Sequence, residues 1–521
     1  MVCDHRPLKQ EQDRVRLTLG GDVLDYLGDT ASPAASLIES KLLFNSVISD
    51  SHLGARFMSL DIKDSFLQSI LHDAEYLRIH SKYFLPDIRA KYNIENLIAT
   101  DGYVYCKIKR GMYGLKQAAR LARDQLIKNL APFGYFPSPQ APNIWIHSSR
   151  QTKFCLCVDD FGVKYFSEDD ATHLINALQS AYTITIDKSG SNFCGLHLEW
   201  DYKNKWVDIS MPKYVLKILK KLGHPSPSTQ RHSPHRWVPK TYGQKVHLTA
   251  PEDHSEILSK LETTKIQRIV GSFLYYARAV DSTIHTAVNE LSASQAAPTT
   301  KTKDATIMLM DYLSTHPQAK IRYKASDMQM YVDSDAAYLV APKSKSRIGG
   351  YFYLSNQYNK HDKTPSPPLN GPIHIEYQVL KHVVTSAAEA ETSGIFLNIK
   401  TAIWIRRMLE VLGHPQQIIP IKTDNSTAEA FSNSTLKERR SKAWDMRLYW
   451  IQDRVHNKEF YVYWQAGAEN FADYFTKHFS PQYHQTIRPI YILKNNHMTD
   501  LQREGVLIYQ DITPRGLSIY T

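Results

Sequence analysis

The apolar and polar positions of the first 220 or so residues predict a mixture of strands and helices. Two apolar, β-favouring runs, FMSLDIKDSFL (57–67) and KFCLCVDDFGVKYF (153–166), are interrupted by aspartates. Residues 169–182 instead carry apolar side chains at helical spacing, and two acidic residues open that segment as they open many helices. The pattern therefore predicts an α+β domain in this part of the chain.

A break in periodicity separates this part from two further regions. The segment GHPSPSTQRHSPHRWVPKTYG (223–243) is rich in Pro, His and Ser and predicts a linker or an extended crossover. Residues 256–318 then show a helical pattern. From residue 328 the pattern is α/β, and its predicted elements are strands MQMYVDSDAAY and GGYFYLS, a helix near 379–412, a strand at 418–426, a helix near 440–456 and a strand at 459–464. The chain is thus predicted to be a multidomain α+β and α/β protein.

Charge and composition narrow the class of partner. The 521 residues include 63 Lys and Arg against 52 Asp and Glu, a net charge of +11. Such an excess suits a polyanionic partner, because basic side chains that neutralise phosphates release counterions. No apolar run approaches the length of a membrane span and no signal peptide is evident, so we expect an intracellular, soluble protein with no membrane partner. The five cysteines show no metal-ligand spacing and are expected to be thiols in a reducing compartment.

A first set of aspartates lies in the N-terminal half. Asp61 ends one apolar run, and Asp159 and Asp160 lie between two apolar runs 98 residues later (159 − 61 = 98). Nucleotidyl transfer needs carboxylates from separate strands that can hold two Mg²⁺ ions about 4 Å apart. Taken alone, an Asp-Asp pair is also typical of a turn or a helix cap.

Three strings in order strengthen the catalytic interpretation of these aspartates. DIKDSFL, GMYGLKQAAR (111–120) and VDDFGVKY resemble motifs A, B and C of reverse transcriptases, and the likeness is strongest to copia-group LTR retrotransposons. The resemblance implies that Asp61, Asp159 and Asp160 are catalytic and bind metal, with two Mg²⁺ (or Mn²⁺) ions in the site.

The same resemblance implies substrate-binding residues. Phe66 matches the aromatic side chain that excludes a ribose 2′-hydroxyl, although simple core packing is the alternative, and Gln117 matches the motif B glutamine beside the incoming nucleotide. NFCGLHLEWD (192–201) resembles the strand pair that grips the primer end. RVRLTLGG (14–21) resembles the end of the fingers, so Arg14 or Arg16 would meet the triphosphate unless each is only a solvated charge.

A second set of acidic residues recurs across the α/β region. They stand in YVDSDAAY, SAAEAETSG, KTDNSTA and NFADYFTKH, and they are Asp333, Glu391, Asp424 and Asp473. Acidic groups that converge on two metal ions, and so activate water against an RNA phosphodiester, are what a ribonuclease H site needs. The order and the local strings, ADYFTKH above all, resemble the ribonuclease H of copia-type elements, which implies a second pair of Mg²⁺ or Mn²⁺ ions bound by these four residues.

Two near neighbours leave this assignment open. Asp335 and Glu389 could exchange roles with Asp333 and Glu391. We choose Asp333 because it directly follows the apolar strand. We choose Glu391 because the last glutamate of the E-x-E pair is the ligand in the family that the sequence resembles.

The resemblance implies a domain plan and a function. The plan is a right-hand polymerase palm with partial fingers (1–222), a linker with a thumb/connection (223–325), a ribonuclease H-like fold (326–480) and a C-terminal tail (481–521). The implied enzyme is a retrotransposon RNA-directed DNA polymerase with ribonuclease H activity, acting on RNA and DNA template/primer, RNA/DNA hybrid and dNTPs in cytoplasmic virus-like particles or the nucleus. The alternatives are a truncated remnant that only binds nucleic acid, and a ribonuclease H with a structural N-terminal half.

Overall fold

A computed structural model describes residues 2–5, 13–237, 253–358, 365–435 and 445–493. The helices are α1 (Leu37–Ser49), α2 (Ser65–Gln68), α3 (Pro86–Tyr92), α4 (Ala118–Leu130), α5 (Glu168–Gln179), α6 (Tyr214–Leu222), α7 (Lys260–Ala279), α8 (His285–Ser294), α9 (Thr300–Thr315), α10 (Ala387–Leu412), α11 (Ser426–Ser432), α12 (Asp445–His456) and α13 (Pro481–Tyr491). The strands are β1 (Val2–His5), β2 (Asp13–Arg16), β3 (Arg56–Ile62), β4 (Ile70–His80), β5 (Tyr103–Arg110), β6 (Tyr135–Pro137), β7 (Ile144–His147), β8 (Lys153–Cys157), β9 (Asp160–Tyr165), β10 (Ile184–Asp187), β11 (Asn192–Phe193), β12 (Leu196–Asp201), β13 (Trp206–Ser210), β14 (Lys320–Lys324), β15 (Gln329–Ala341), β16 (Lys345–Ser355), β17 (Pro372–Val379), β18 (Ile419–Thr423) and β19 (Phe460–Trp464). No helix in these ranges is long and apolar enough to cross a bilayer.

The chain forms two compact units. The first consists of residues 1–35 and 58–188, and the second of residues 36–57 and 189–521. These units do not follow the predicted boundaries at 222 and 325, because residues 36–57 pack with the second half of the chain. The four-domain plan therefore stays a prediction.

The first unit is built on a six-stranded sheet in the order β10-β3-β9-β8-β7-β6. Its apolar side chains form one core in which Trp145, Phe154 and Phe161 are fully buried. Helix α5 covers this core with the apolar side of its amphipathic surface, and Ser167 caps its first turn. The two aspartate-bearing strands, β3 and β9, are neighbours at the centre of the sheet.

A separate two-stranded hairpin, β4–β5, follows the first aspartate strand. It carries a small core of its own, with Leu71, Ile108 and Leu115 buried together. Gly111, at the base of the hairpin, must be glycine because a Cβ there would come within 2.5 Å of the Phe66 carbonyl oxygen.

The second unit contains a five-stranded mixed sheet in the order β17-β16-β15-β18-β19. Strands β15 to β17 form an antiparallel meander, and β18 and β19 add parallel to β15. Helix α10 packs on β15 and β16 with one side, and its buried apolar residues extend from Ala390 to Leu412. This order agrees with the expected ribonuclease H-like fold. The palm, fingers and thumb assignments remain predictions.

Other elements of the second unit extend well beyond the predicted ribonuclease H boundaries. Helix α1 is buried over nearly its full length and contacts α10, β14 and β17. Strands β11 to β14 form a four-stranded antiparallel sheet. Helix α13 lies inside the predicted tail, and its Tyr491 hydroxyl donates to the Phe471 carbonyl at 2.8 Å.

Two predicted elements differ from the structure. Residues 372–379, which we did not predict as a strand, form β17, and the alternation in PIHIEYQV explains it. The helix predicted from about 379 therefore begins only at Ala387, where the Ser386 side chain accepts the Glu389 backbone N–H. Part of the predicted linker, residues 238–243, lies outside the described residues.

Candidate carboxylate sites

Three acidic side chains of the second unit meet in one buried place. Ligand oxygens of Asp335, Glu391 and Asp424 lie within 4.8 Å of one another. Asp335 is 1% exposed and Glu391 is 4% exposed, while Asp424 is half-buried. Elsewhere in the described ranges, no second group of three His, Cys, Asp or Glu side chains meets this spacing.

Three neighbouring elements supply these carboxylates. Asp335 stands on β15, Asp424 follows the last residue of the parallel neighbour β18, and Glu391 lies near the start of α10. The Glu391 carboxylate accepts the Ala336 N–H at 3.0 Å, which ties the helix to the strand. Gly467 allows the loop after β19 to approach, because a Cβ there would lie 2.7 Å from Asp424 Oδ2.

The pKa values of the three carboxyl groups are all raised. Burial raises the pKa of Asp335 to about 7, and the nearby Asp473 and Asp424 carboxylates add to this. Burial raises the pKa of Glu391 well above its usual value, with Asp335 and Asp424 again contributing. Burial and the Asp473 carboxylate also raise the pKa of Asp424. Negative charge is therefore under-compensated at this place.

Asp473 and Lys477 border the group. Asp473 lines an open pocket of about 260 Å³ together with Asp424, Lys477 and Tyr483. The Lys477 ammonium, one turn after Asp473, donates to its carboxylate. Burial alone would lower the pKa of Lys477, but the carboxylates of Asp335, Asp473 and Asp424 raise it above its usual value. Lys477 is thus the cation that faces this acidic group.

Asp333 is engaged elsewhere. Its carboxylate is 3.1 Å from the Lys422 ammonium and accepts the Phe471 N–H at 3.0 Å. Both Asp333 and Lys422 are buried, and burial raises the pKa of Asp333 although the Lys422 ammonium opposes this rise. The geometry places Asp335, and not Asp333, with the other two carboxylates, so we put Asp335 in place of Asp333 as the candidate ligand.

The choice of Glu391 over Glu389 agrees with the contacts. Glu389 accepts the Thr385 N–H at 2.6 Å and the Thr385 hydroxyl at 2.7 Å. It therefore closes the first turn of α10, a common role for an acidic residue at a helix N-terminus.

The buried group fits a hard divalent cation. Its donors are carboxylate oxygens, which Mg²⁺ and Mn²⁺ prefer. Burial and mutual repulsion raise the pKa of each carboxyl group, and a dication would relieve both effects. Asp335, Glu391 and Asp424 would hold the ion, with Asp473 at the pocket side.

The three aspartates of the first unit are arranged differently. Asp61 is on β3 and Asp160 begins β9, with Asp159 in the tight turn between β8 and β9. The Ile62 N–H donates to the Asp159 carbonyl at 3.2 Å, so the β3 aspartate and the turn lie side by side. Val158 in this turn has φ +64°, which Val rarely adopts. All three side chains are half-buried.

The two residues predicted to contact the nucleotide, Phe66 and Gln117, are held by contacts within the first unit. Phe66 packs edge-on against Tyr113, with ring centroids 5.1 Å apart, and adds to the small apolar core that includes Leu71. Gln117 is 3% exposed, and its amide nitrogen donates to Glu75 at 3.1 Å. The Gln117 Oε1 atom is buried without a hydrogen-bond partner.

Two further predictions concern the fingers and the primer end. Arg14 and Arg16 lie on β2, which pairs with β1, but their side chains are outside the described residues. Residues 192–201 do form the predicted strand pair, β11–β12, and β12 continues into a sheet with β13 and β14.

Comparison with curated proteins identifies relatives of this chain. No protein-family model matches the chain. Curated relatives include the retrovirus-related Pol polyproteins from transposon TNT 1-94 of Nicotiana tabacum, 22% identical over 428 residues, and from transposon RE1 of Arabidopsis thaliana, 24% identical over 464 residues. These alignments cover 80% and 87% of this chain. The chain is related to the Pol polyproteins of copia-type transposons. It spans 28–29% of the length of these Pol relatives.

Two solved structures illustrate the likeness of this chain in three dimensions, and both are distant from it in sequence. One is a foamy viral protease-reverse transcriptase in complex with RNA/DNA hybrid, with a TM-score of 0.43 and 13% identity, covering 86% of this chain and 48% of that one. Another is the N-terminal RNase H domain of rv2228c from Mycobacterium tuberculosis, with a TM-score of 0.20 and 12% identity, covering 29% of this chain and 91% of that one. The fold assignment therefore rests on the sheet order and the carboxylate geometry.

Sequence reasoning on this Pol-related chain missed two site residues. The string ADYFTKH contains Lys477, and its i, i+4 spacing from Asp473 was the available signal. Glu75, the partner of Gln117, had no such signal, because only the pairing of β4 with β5 brings it near motif B.

Proposed function

We propose that the chain is a retrotransposon RNA-directed DNA polymerase with ribonuclease H activity, using two Mg²⁺ or Mn²⁺ ions in each site. The observation that carries the proposal is the buried group of Asp335, Glu391 and Asp424 on a sheet of the order β17-β16-β15-β18-β19. Likeness to copia-type Pol polyproteins over most of the chain supports the same activity.

In the second unit the residues have separate tasks. Asp335, Glu391 and Asp424 bind the ions, and Asp473 faces them from the pocket. Bound divalent ions supply charge neutralisation and an activated water for phosphodiester hydrolysis. Thr476 donates its hydroxyl to Asp335 and thereby orients that carboxylate. The open pocket beside Asp424 leaves space for the backbone of a hybrid.

In the first unit Asp61, Asp159 and Asp160 are the proposed polymerase carboxylates. Their half-buried position on adjacent strands suits a site that must admit a primer end and a triphosphate. Phe66 is the proposed sugar gate, and the aromatic contact with Tyr113 supports a fixed ring position. Gln117 is proposed to meet the incoming nucleotide, supported by its unpaired, buried Oε1.

The proposed partners are template/primer, RNA/DNA hybrid and dNTPs. The net charge of +11 supports binding to phosphates. With roughly 6–10 phosphate contacts, affinity for a hybrid should fall by about 10³–10⁵ between 50 and 200 mM salt. Only the family likeness supports a location in cytoplasmic virus-like particles or the nucleus.

The test uses the full chain in two assays, primer extension on poly(rA)/oligo(dT) and cleavage of an RNA/DNA hybrid, each with Mg²⁺ or Mn²⁺. The parent should perform both reactions, and EDTA should stop both. Asp61→Asn should remove extension alone, and Asp424→Asn should remove cleavage alone. Hybrid binding with neither reaction would support the remnant alternative. Cleavage without extension would support a ribonuclease H with a structural N-terminal half.

A further inference from the structure

The β4–β5 hairpin has two chemically different faces. One face carries Leu77, Ile79, Val104 and Ile108, and Leu77 and Ile108 belong to the small core of the first unit. Because side chains alternate along a strand, the residues between them share the opposite face. The cross-strand pairs on that opposite face, which we name the tyrosine–cation ladder, are Tyr76 with Lys107, Arg78 with Tyr105, and His80 with Tyr103.

Each pair of the ladder joins one tyrosine to one basic or imidazole side chain. Tyr76 is 65% exposed and Tyr105 is 53% exposed, so two large rings face solvent on a flat, two-stranded support. The Arg78 guanidinium lies 5.0 Å from the Tyr103 ring centroid, a cation–π contact on the diagonal. Two large exposed rings on one face form an apolar patch of the kind that marks a binding surface.

The charges of the ladder match a polyanion. Arg78 and Lys107 are exposed, as is Lys109, the next residue of β5 on this side. Within the described part of the chain, no ion pair is formed by these three cations. Asp101, at the end of the hairpin, accepts the Tyr105 hydroxyl at 2.6 Å and so fixes that ring. Among the strand residues whose side chains are described, the acidic one is Glu75, which lies on the other face with Gln117.

We propose that the tyrosine–cation ladder binds unpaired single-stranded nucleic acid, with bases stacked on Tyr76 and Tyr105 and phosphates held by Arg78, Lys107 and Lys109. Aromatic rings interleaved with cations are the chemistry that takes single strands without sequence preference, because every base has a π-face. A paired duplex buries its base faces, so the ladder discriminates unpaired from paired strands. The site uses no metal ion and does not depend on either proposed activity.

The test is metal-free binding of a fluorescent single-stranded oligothymidylate to the full chain, measured by anisotropy in EDTA beside a blunt RNA/DNA hybrid. Tyr76→Ala and Tyr105→Ala should each weaken single-strand binding by roughly tenfold, within the range that loss of one base–aromatic stack gives. Hybrid binding should change by less than about twofold, because the bases of a duplex do not reach the rings. Tyr105→Phe keeps the ring and loses only the hydrogen bond to Asp101, so it should retain most of the binding that Tyr105→Ala loses.

Two further variants distinguish binding at the tyrosine–cation ladder from non-specific binding to the protein surface. Tyr92 on α3 is 58% exposed with a lysine against its ring, yet it is off the ladder, so Tyr92→Ala should leave binding unchanged. Lys107→Met should flatten the dependence of log affinity on log salt by about 0.7, the share of one phosphate contact to a single strand.

Several outcomes would overturn the ladder proposal. Unchanged single-strand binding in both tyrosine variants would show that this face does not bind single strands and would favour a protein partner instead. Equal losses for single strand and hybrid, or an equal loss in Tyr92→Ala, would show non-specific attraction. Because no metal is present, a failure here is distinguishable from a failure of extension or cleavage.

Discussion

The two carboxylate sites of this chain are built from the same residue types but in opposite environments. In the second unit Asp335 and Glu391 are almost fully buried, and burial with mutual repulsion raises the pKa of each. In the first unit Asp61 and the Asp159–Asp160 pair are half-buried at the surface of the central strands. The buried set draws its ligands from β15, β18 and α10, whereas the half-buried set needs only two adjacent strands.

The difference shows how much each site depends on its surroundings. A buried cluster of like charges is stable only when protonation, a cation or hydrogen bonds compensate it. Lys477 partly fills that role in the second unit. A half-buried set keeps water as a partner, so its residues can change charge with little effect on the fold.

The largest expected effect separates two aspartates of one strand. Asp335→Asn should lower hybrid cleavage on the order of 10³-fold, the scale of losing one preorganised electrostatic group. Asp333→Asn should keep cleavage within about tenfold, because its carboxylate is paired with Lys422 and lies outside the metal group. Single-turnover cleavage rates with saturating Mg²⁺ give the comparison, and primer extension by both variants is the control. A greater loss in Asp333→Asn would restore the original assignment.

The loss of folding stability, in contrast, should be large for Asp333→Asn and small for Asp61→Asn. Asp333→Asn leaves the buried Lys422 ammonium without its counter-charge, which costs up to roughly 3–5 kcal/mol. Asp61→Asn, at a half-buried position, should change the free energy of unfolding by less than about 1 kcal/mol. Chemical denaturation, followed by circular dichroism, measures both. Similar losses in the two variants would mean that the sites do not differ in their dependence on charge pairing.

Asp333 and Asp335 show what could not be predicted from the sequence. The motifs located both acidic sets and the strands that carry them, because apolar runs and turn-forming residues are local signals. Asp333 and Asp335 are two residues apart on β15 and share a face, so periodicity could not separate them. Their difference comes from Lys422 on β18, 89 residues away. The packing of α1 on α10 is equally non-local, and no local pattern in the sequence indicates it.

The pH dependence of stability follows from the raised pKa of Asp335. Below the pKa of an unfolded aspartate both states are protonated, and the group contributes nothing. As pH rises toward about 7, the unfolded chain releases this proton while the folded chain retains it, so the folded state loses stability. Asp335→Asn removes the loss. In EDTA, the free energy of unfolding of Asp335→Asn minus that of the parent should rise by about 1–4 kcal/mol between about pH 4 and pH 7.

The comparison with the parent is necessary because other groups titrate in the same range. Burial lowers the pKa of His235 and of His285 to about 3, so these histidines add stability as pH rises. They are the same in both proteins and cancel in the difference. A difference that shrinks with rising pH would contradict the raised pKa, and adding Mg²⁺ should abolish the dependence by favouring the ionised carboxylates.

The smallest effect concerns Lys477, the cation at the buried site. Lys477→Met removes the positive charge that faces Asp473 and Asp335. Without metal, the variant should therefore lose about 1 kcal/mol of folding stability. The loss is modest because the lysine side chain is 44% exposed. The same change removes a charge that repels a dication, so Mg²⁺ should bind more tightly and raise the melting temperature by a larger increment. Lys477→Arg keeps the charge and should follow the parent. Thermal melts across a Mg²⁺ titration measure the stability without metal and the rise in melting temperature with Mg²⁺. Primer extension is the control for the first unit. If Lys477→Met gains less from Mg²⁺ than the parent, Lys477 assists the metal rather than standing in for it.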